Sequence, residues 1–222
     1  MGIIIAIDGP AGAGKSTIAR RVASQLGYTY IDTGAMYRAV AYWALTQNME
    51  VNDAHRMEKL AEAAEIRLVT ETSSVLLNGE DVSVAIREAR VSDAASQVAT
   101  IAGVRRALVA KQREMAGQAN IVMEGRDIGT VVFPEATLKI FLDADQGERV
   151  RRRVDQVGAR DVGEVRDQIA DRDRRDIERA EAPLTQAPDA VYLDSTGLSI
   201  DEVTEAILKL IRGRVTNGRA HD

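Results

Sequence analysis

Residues 9–16 read Gly9-Pro10-Ala11-Gly12-Ala13-Gly14-Lys15-Ser16 and fit the pattern G-x-x-x-x-G-K-[ST]. At average residue frequencies a match somewhere in a chain of 222 residues is roughly a one-in-a-hundred event, so chance explains it poorly. Glycines at this spacing let the main chain curl until successive N–H groups point into one concavity. A helix that starts there adds its positive end to the same spot. Lys15 places a point charge on the transferring phosphates, and the Ser16 hydroxyl reaches a magnesium ion. The competing reading, a glycine-rich turn with an incidental lysine, is disfavoured by the flanking segments. The loop points to a nucleoside triphosphate and leaves open what happens to it.

Working outward, Ile3 to Ile7 is a short, continuously apolar run that suits a strand buried on both faces. Ser16 to Leu26 carries Ile18, Val22 and Leu26 at helical spacing and stops at Gly27. Tyr28 to Ile31, Asn120 to Met123, Ala136 to Leu142 and Ala190 to Leu193 read as further strands. Helices are expected over 35–47, 53–65, 91–117 (with a break near Ala102-Gly103), 147–155, 162–179 and 199–212. Residues 66–70 and 74–77 look like strands of a small antiparallel patch, with Asn78-Gly79 as a hairpin turn. The expected fold is α/β: a P-loop NTPase-type parallel sheet flanked by helices, interrupted by this patch and by an Arg-dense helical excursion. Gly213 to Asp222 reads as a polar, disordered tail.

Composition narrows the chemistry. There is no Cys, which excludes disulfide scaffolds, Cys-zinc sites and thiol nucleophiles. The two histidines, His55 and His221, sit in polar stretches and do not suggest a triad or a metal site. A net charge of −5 argues against nucleic acid as a partner. No apolar run reaches the ~18 residues of a membrane span. The start Met1 to Gly9 lacks a basic segment and is not read as a signal peptide, so the cytoplasm is expected. Only five of the 29 basic residues are Lys, and planar Arg forks suit phosphate oxygens.

Nucleotide switches and small-molecule kinases both use such a loop. A GTPase should carry N-K-x-D, which is absent; Asp194-Ser195-Thr196-Gly197 fits D-x-x-G but lies too late and reads as a strand-end turn. A kinase needs a second, acceptor pocket, and three clusters could build one. Thr33 and Arg38 follow the second strand and could reach one phosphate, unless Asp32 or Thr33 merely caps a helix with Arg38 solvated. Glu124-Gly125-Arg126-Asp127-Ile128-Gly129-Thr130 could be a loop closely approached by a ligand, or a plain turn with a surface ion pair. Residues 149–179 hold ten arginines, interrupted by Gly158 to Gly163; most suit a solvated helix face, but helix–loop–helix with inward Arg is what a water-excluding lid needs.

Taken together, IDGPAGAGKST from Ile7, IDTGAMYR from Ile31, SQVA at 96–99, GVRRAL at 103–108, EGRDIGTVVFP at 124–134 and RDRRDIERAEAPL at 172–184 resemble the bacterial cytidylate kinases. The resemblance runs in order over nearly the whole chain. It implies transfer of the ATP γ-phosphate to CMP or dCMP with Mg2+, by a monomer acting on small-molecule nucleotides, away from membrane and nucleic acid. It implies one kinase domain over 1–222, an inserted acceptor-binding subdomain about 36–100, with antiparallel sheet in about 63–100, and a mobile lid about 150–172. ATP would be held by Gly9, Pro10, Ala11, Gly12, Ala13, Gly14, Lys15, Ser16 and Thr17, with Ser16 on the metal. The acceptor phosphate would be held by Thr33, Arg38 and Arg126; the family often has Ser at the Thr33 position, and the hydroxyl is kept. Cytosine would be read by Ser96, Arg105 and Asp127, and the ribose contacted by Arg172 and Asp176, with Arg179 aiding the phosphates. Lys15, Arg126, Arg172 and Arg179 would carry catalysis. A kinase for UMP or AMP, or a nucleotide-sensing module without transfer, are the alternatives.

Overall fold

The computed structural model describes residues 2–69, 72, 74–159 and 161–218, the side chains of 215–218 excepted. Thr70, Arg160 and the tail from Arg219, with His221, lie outside the described residues. The chain opens with strand β1 (Ile4–Asp8), helix α1 (Lys15–Leu26), β2 (Thr29–Asp32), α2 (Thr33–Thr46) and α3 (Ala54–Ala63). A small sheet follows, β3 (Ile66–Val69), β4 (Ser74–Leu77) and β5 (Glu80–Asp81). Then come α4 (Ala89–Val98), α5 (Ala102–Ala116), β6 (Ile121–Glu124), β7 (Leu138–Asp143), α6 (Gln146–Val157), α7 (Val162–Glu178), β8 (Val191–Asp194) and α8 (Ile200–Gly218).

β1 is buried along its whole length because both its edges and both its faces are covered. It pairs in parallel with β6 on one side and β7 on the other, and β2 and β8 extend the sheet to the order β2-β6-β1-β7-β8. Ile5, Ile7, Val122 and Ile140 pack on one face against Ile18 and Val22 of α1 and Ile207 and Ile211 of α8. Ile4, Ala6, Ile121 and Met123 pack on the other face with Ile128 and Phe133. The third core joins α2, α3, α4 and α5 to Ile66, Val75 and Leu77 of the antiparallel sheet. Asn78 (φ 50°) and Gly79 (φ 87°) turn β4 into β5, the left-handed pair that a two-residue hairpin needs.

All five strands of the parallel sheet end in a carboxylate: Asp8, Asp32, Glu124, Asp143 and Asp194. This is the edge where ligands of such sheets bind. At Gly9 the chain leaves β1 with φ 148°, and a Cβ there would lie 1.9 Å from the Leu142 carbonyl oxygen. Gly9→Ala is therefore expected to cost about 3 kcal/mol or more in urea denaturation. An unchanged unfolding midpoint would contradict this account of how the loop starts.

The structure differs from the sequence reading in two places and shifts a third. The break expected near Ala102-Gly103 in the 91–117 helix is present but falls at residues 99–101, because Ile101 takes an extended conformation and starts α5 anew. Residues 128–132 are a single π-helical turn rather than an open loop. The helix expected to stop at Arg212 continues through Gly213 to Gly218, so 213–218 are not an unstructured tail. A lone Gly costs a helix only about 1 kcal/mol, too little to end one that Val203, Ile207 and Ile211 anchor to the core.

Candidate active site

The glycine loop curls between β1 and α1 with Gly9, Gly12 and Gly14 all at positive φ, so residues 9–16 form the cradle that the motif anticipates. Gly14 caps α1 without a side-chain bond, which leaves the first N–H groups of the helix available to an anion. Lys15 is buried at 5 % exposure and folds back to donate from Nζ to the Pro10 carbonyl at 2.6 Å. Burial, and then the nearby Arg126 cation, hold its ammonium down to about 7, against the pull of Glu124. Ser16 and Thr17 are exposed on the first turn.

Glu124, one strand over, is buried and accepts from the Tyr30 hydroxyl at 2.7 Å. The Ser16 hydroxyl lies near the same carboxylate and favours its charged form. Burial, and then neighbouring Asp32, push Glu124 above the usual carboxylate range. Thr33 donates to the Glu124 carbonyl at 2.7 Å, and a Cβ on Gly125 would fall 2.8 Å from the Thr33 hydroxyl. Glycine is thus required for this close approach. Asp32 caps α2 by accepting from the Ala35 N–H, and its other oxygen takes Arg38 at 2.9 Å. Capping and Arg38 placement are one arrangement here, and Arg38 is not a freely solvated side chain.

Asp127 is buried at 6 % exposure, so the plain-turn reading of 124–130 gives way. Its carboxylate takes the Arg105 guanidinium on one oxygen and stands 3.5 Å from Arg179 Nη2 on the other. Arg105 lies over the Tyr37 ring at 5.9 Å. Burial works against the Arg105 charge, but Tyr37 and Asp127 hold it above the ordinary arginine range. Arg126 Nε donates to Asp176 at 2.8 Å, and Asp176 also lies 3.8 Å from Arg179. Burial disfavours the Asp176 charge, and Arg126 and Arg172 outweigh it, so this carboxyl sits low. Three buried polar atoms here have no hydrogen-bond partner: Ser96 Oγ, Arg172 Nε and Arg179 Nη2. Burial and Arg126 depress Arg172 to about 10. Buried polar atoms that the protein leaves without a hydrogen bond are candidates to bind a polar ligand.

The structure thus brings Lys15, Thr33, Arg38, Arg105, Arg126, Asp127, Arg172, Asp176 and Arg179 to the carboxyl edge of one sheet, while Ser96 is buried on α4. It also sorts the Arg-rich stretch. Arg151 and Arg174 make exposed pairs with Glu148 and Asp171. Arg149 and Arg152 instead donate to the loop carbonyls of Ala11 at 3.1 Å and Ala13 at 3.3 Å.

Sequence reasoning missed Asp8, Tyr30, Arg149 and Asp173. Asp8 accepts from the Ile128 and Gly129 N–H groups at 2.8 and 2.7 Å and so fixes the π-helical turn behind Asp127. Its position at a strand's carboxyl end was the only available signal. Burial pushes the Asp8 carboxyl up to about 6 despite these two donors. The fold therefore binds this proton more tightly than the unfolded chain does. The associated stability is complete below about pH 4 and is lost as pH rises through 6. Denaturation of wild type and Asp8→Asn across pH 4 to 7 should show the wild type's relative stability falling by up to about 3 kcal/mol. A pH-independent difference would contradict it.

Among the described residues no group of three or more His, Cys, Asp or Glu could hold a metal alone. The hard-oxygen pair of Ser16 and Glu124 beside the cradle still suits Mg2+, which keeps several waters and shares phosphate oxygens. No helix of the described residues is long and apolar enough to cross a membrane.

Comparison with known proteins agrees with this geometry. The family model described as cytidylate kinase matches residues 5–213. A cytidylate kinase of Solibacter usitatus (strain Ellin6076) is 61% identical over 98% of this chain and 95% of its own. Another, of Geobacillus kaustophilus (strain HTA426), is 48% identical over 96% of this chain and 98% of its own. In fold, a gluconokinase from Sinorhizobium meliloti 1021 superposes over 100% of this chain and 98% of that chain, with TM-score 0.52 at 14% identity.

Proposed function

The chain belongs to the cytidylate kinase family and transfers a phosphoryl group from ATP to CMP, and we propose that it does so between the Gly9–Ser16 cradle and the Arg38–Arg126–Asp127 pocket. Residues Gly9, Pro10, Ala11, Gly12, Ala13, Gly14, Lys15, Ser16 and Thr17 hold the triphosphate by main-chain N–H groups and the Lys15 charge. Thr33, Arg38 and Arg126 hold the acceptor phosphate. Ser96, Arg105 and Asp127 read the base, and Arg172, Asp176 and Arg179 contact the ribose and phosphates. A phosphate oxygen of CMP attacks the γ-phosphorus of ATP in line. The bond from that phosphorus to the bridging oxygen breaks, and ADP leaves with the electron pair.

No side chain becomes covalently attached. The protein's part is positioning and the spreading of charge by Lys15, Arg126, Arg172 and Arg179. Ser16, with Glu124 behind it, would hold Mg2+, which would supply neutralisation of phosphate charge there. Without those cations five strand-end carboxylates would repel a triphosphate. Arg38 on Asp32 and Arg126 near Glu124 offset them before any nucleotide arrives. The α6–α7 pair, within about residues 150–172, is read as a closing lid that keeps water from the transferring group.

The observation that carries the base assignment is Asp127, buried and fixed between the Arg105 and Arg179 guanidiniums. A carboxylate accepts from the cytosine amino group and repels the carbonyl that uracil presents there. The base and phosphate contacts of this reading do not involve the ribose 2′-hydroxyl, so dCMP is taken as a second acceptor. An ADP-release assay over CMP, dCMP, UMP and AMP tests the whole reading. CMP and dCMP should exceed UMP and AMP by roughly a hundredfold in kcat/KM. Equal rates with all four, or only slow hydrolysis with each, would overturn it.

A further inference from the structure

Asp173 and Arg149 take no part in the assignment above, but together they grip both main-chain polar groups of Ala11, in two successive peptide units of the phosphate loop. Asp173 Oδ1 accepts from the Ala11 N–H at 3.1 Å, and Arg149 Nη1 donates to the Ala11 carbonyl at 3.1 Å. The same Arg149 nitrogen pairs with Asp173, and its Nε donates to the Ala144 carbonyl at 3.1 Å. Gly12 is pressed against this clamp, since a Cβ there would meet the Arg149 carbonyl at 2.8 Å. Both gripping side chains are mostly buried, at 12% and 16% exposure.

Asp173 stands on α7, and three residues further along the same helix Asp176 holds Arg126 at 2.8 Å. At the end of α7, Arg179 reaches Asp127. Positions three apart on a helix are neighbours, about 4.5 Å along the axis. One rigid element is thus bonded at one point to the donor loop and at the next to the acceptor loop. A helix held at both points would carry a shift of the phosphate loop to Arg126 and Asp127.

We propose that Asp173, clamped with Arg149 on Ala11, is a positioning residue that couples occupancy of the ATP cradle to the affinity of the CMP pocket. The inference rests on the site assignment above. It does not follow from that assignment, which needs only that the two sites exist.

Calorimetry on the full chain measures CMP binding alone and with a saturating non-hydrolysable ATP analogue, and the reverse pair. In the wild type each ligand should tighten the other by the same factor, about fivefold or more. In Asp173→Asn that factor should fall below about twofold while CMP alone binds within about threefold of wild type. Arg149→Lys keeps the charge but loses the planar fork, and should show the same loss should Asp173→Asn fold poorly. The double variant should lose no more coupling than either single one. A merely structural role would lower the melting temperature or both affinities and leave the factor intact, which overturns the proposal. Tighter analogue binding by Asp173→Asn also overturns it, since the carboxylate would then be a plug in the cradle. Wild type that fails to bind CMP overturns the site assignment and the coupling together; wild type that binds both ligands with no mutual effect overturns the coupling alone.

Discussion

Lys15→Ala is expected to lose roughly a thousandfold or more in kcat while melting no lower than the wild type. Removal of one preorganised charge from a transition state costs about a hundred- to a thousandfold, and in the proposed assignment Lys15 supplies that charge on the donor side. The stability half follows from where the ammonium sits. It is buried, it lies near Arg126 and Arg172, and its hydrogen bond in the ligand-free chain is to the Pro10 carbonyl. Burial and the two guanidiniums hold its proton affinity down to about 7, so near neutral pH the charged form is a burden on the fold. Alanine removes the burden together with the function. Steady-state turnover and a thermal melt on the same preparation decide the matter. Wild-type-like kcat would sink the mechanism, and collapse of the fold would sink the account of Lys15 as a strained, poised charge.

What the sequence discloses and what it hides divide along contact distance. The cradle was legible because its causes are local: an apolar run, glycines where φ must be positive, and a helix starting at once. The Asn78-Gly79 hairpin was legible for the same reason. The π-helical turn at 128–132 was not, because Asp8, which holds it, is 120 residues away in the chain. Arg105 and Asp127 are separated by 22 residues and Arg126 and Asp176 by 50, so no spacing rule links them. The local pattern of 124–130 drew attention to Arg126 and Asp127, but only the resemblance to a known family singled out Arg105 and Asp176. The Ala11 clamp escaped both routes. Arg149 and Asp173 looked like members of a solvated charge run, and only the crossing of α6 and α7 over the loop separates them from Arg151 and Arg174. Burial of the partner, not residue type, distinguishes a working arginine from a solubilising one.

Asp127 carries the second large effect, and two substitutions separate its roles. In Asp127→Ala, Arg105 and Arg179 are left buried at 3% and 7% exposure without the carboxylate between them. Breaking a buried pair by removing one partner costs about 3–5 kcal/mol, so this variant should be markedly less stable. Its KM for CMP should rise by roughly a hundredfold or more, with the KM for ATP changed little, because Asp127 faces only the acceptor. Asp127→Asn keeps the shape and one acceptor oxygen but exchanges the other for a donor. It should recover part of the stability, yet its amide can now donate to the carbonyl of uracil. The preference for CMP over UMP in kcat/KM is therefore expected to narrow in the Asn variant by about tenfold, a change that lost packing alone does not produce. Parallel rises in both KM values, or a preference that stays at the wild-type ratio in Asp127→Asn, would remove Asp127 from base recognition and leave it only the task of keeping two arginines apart.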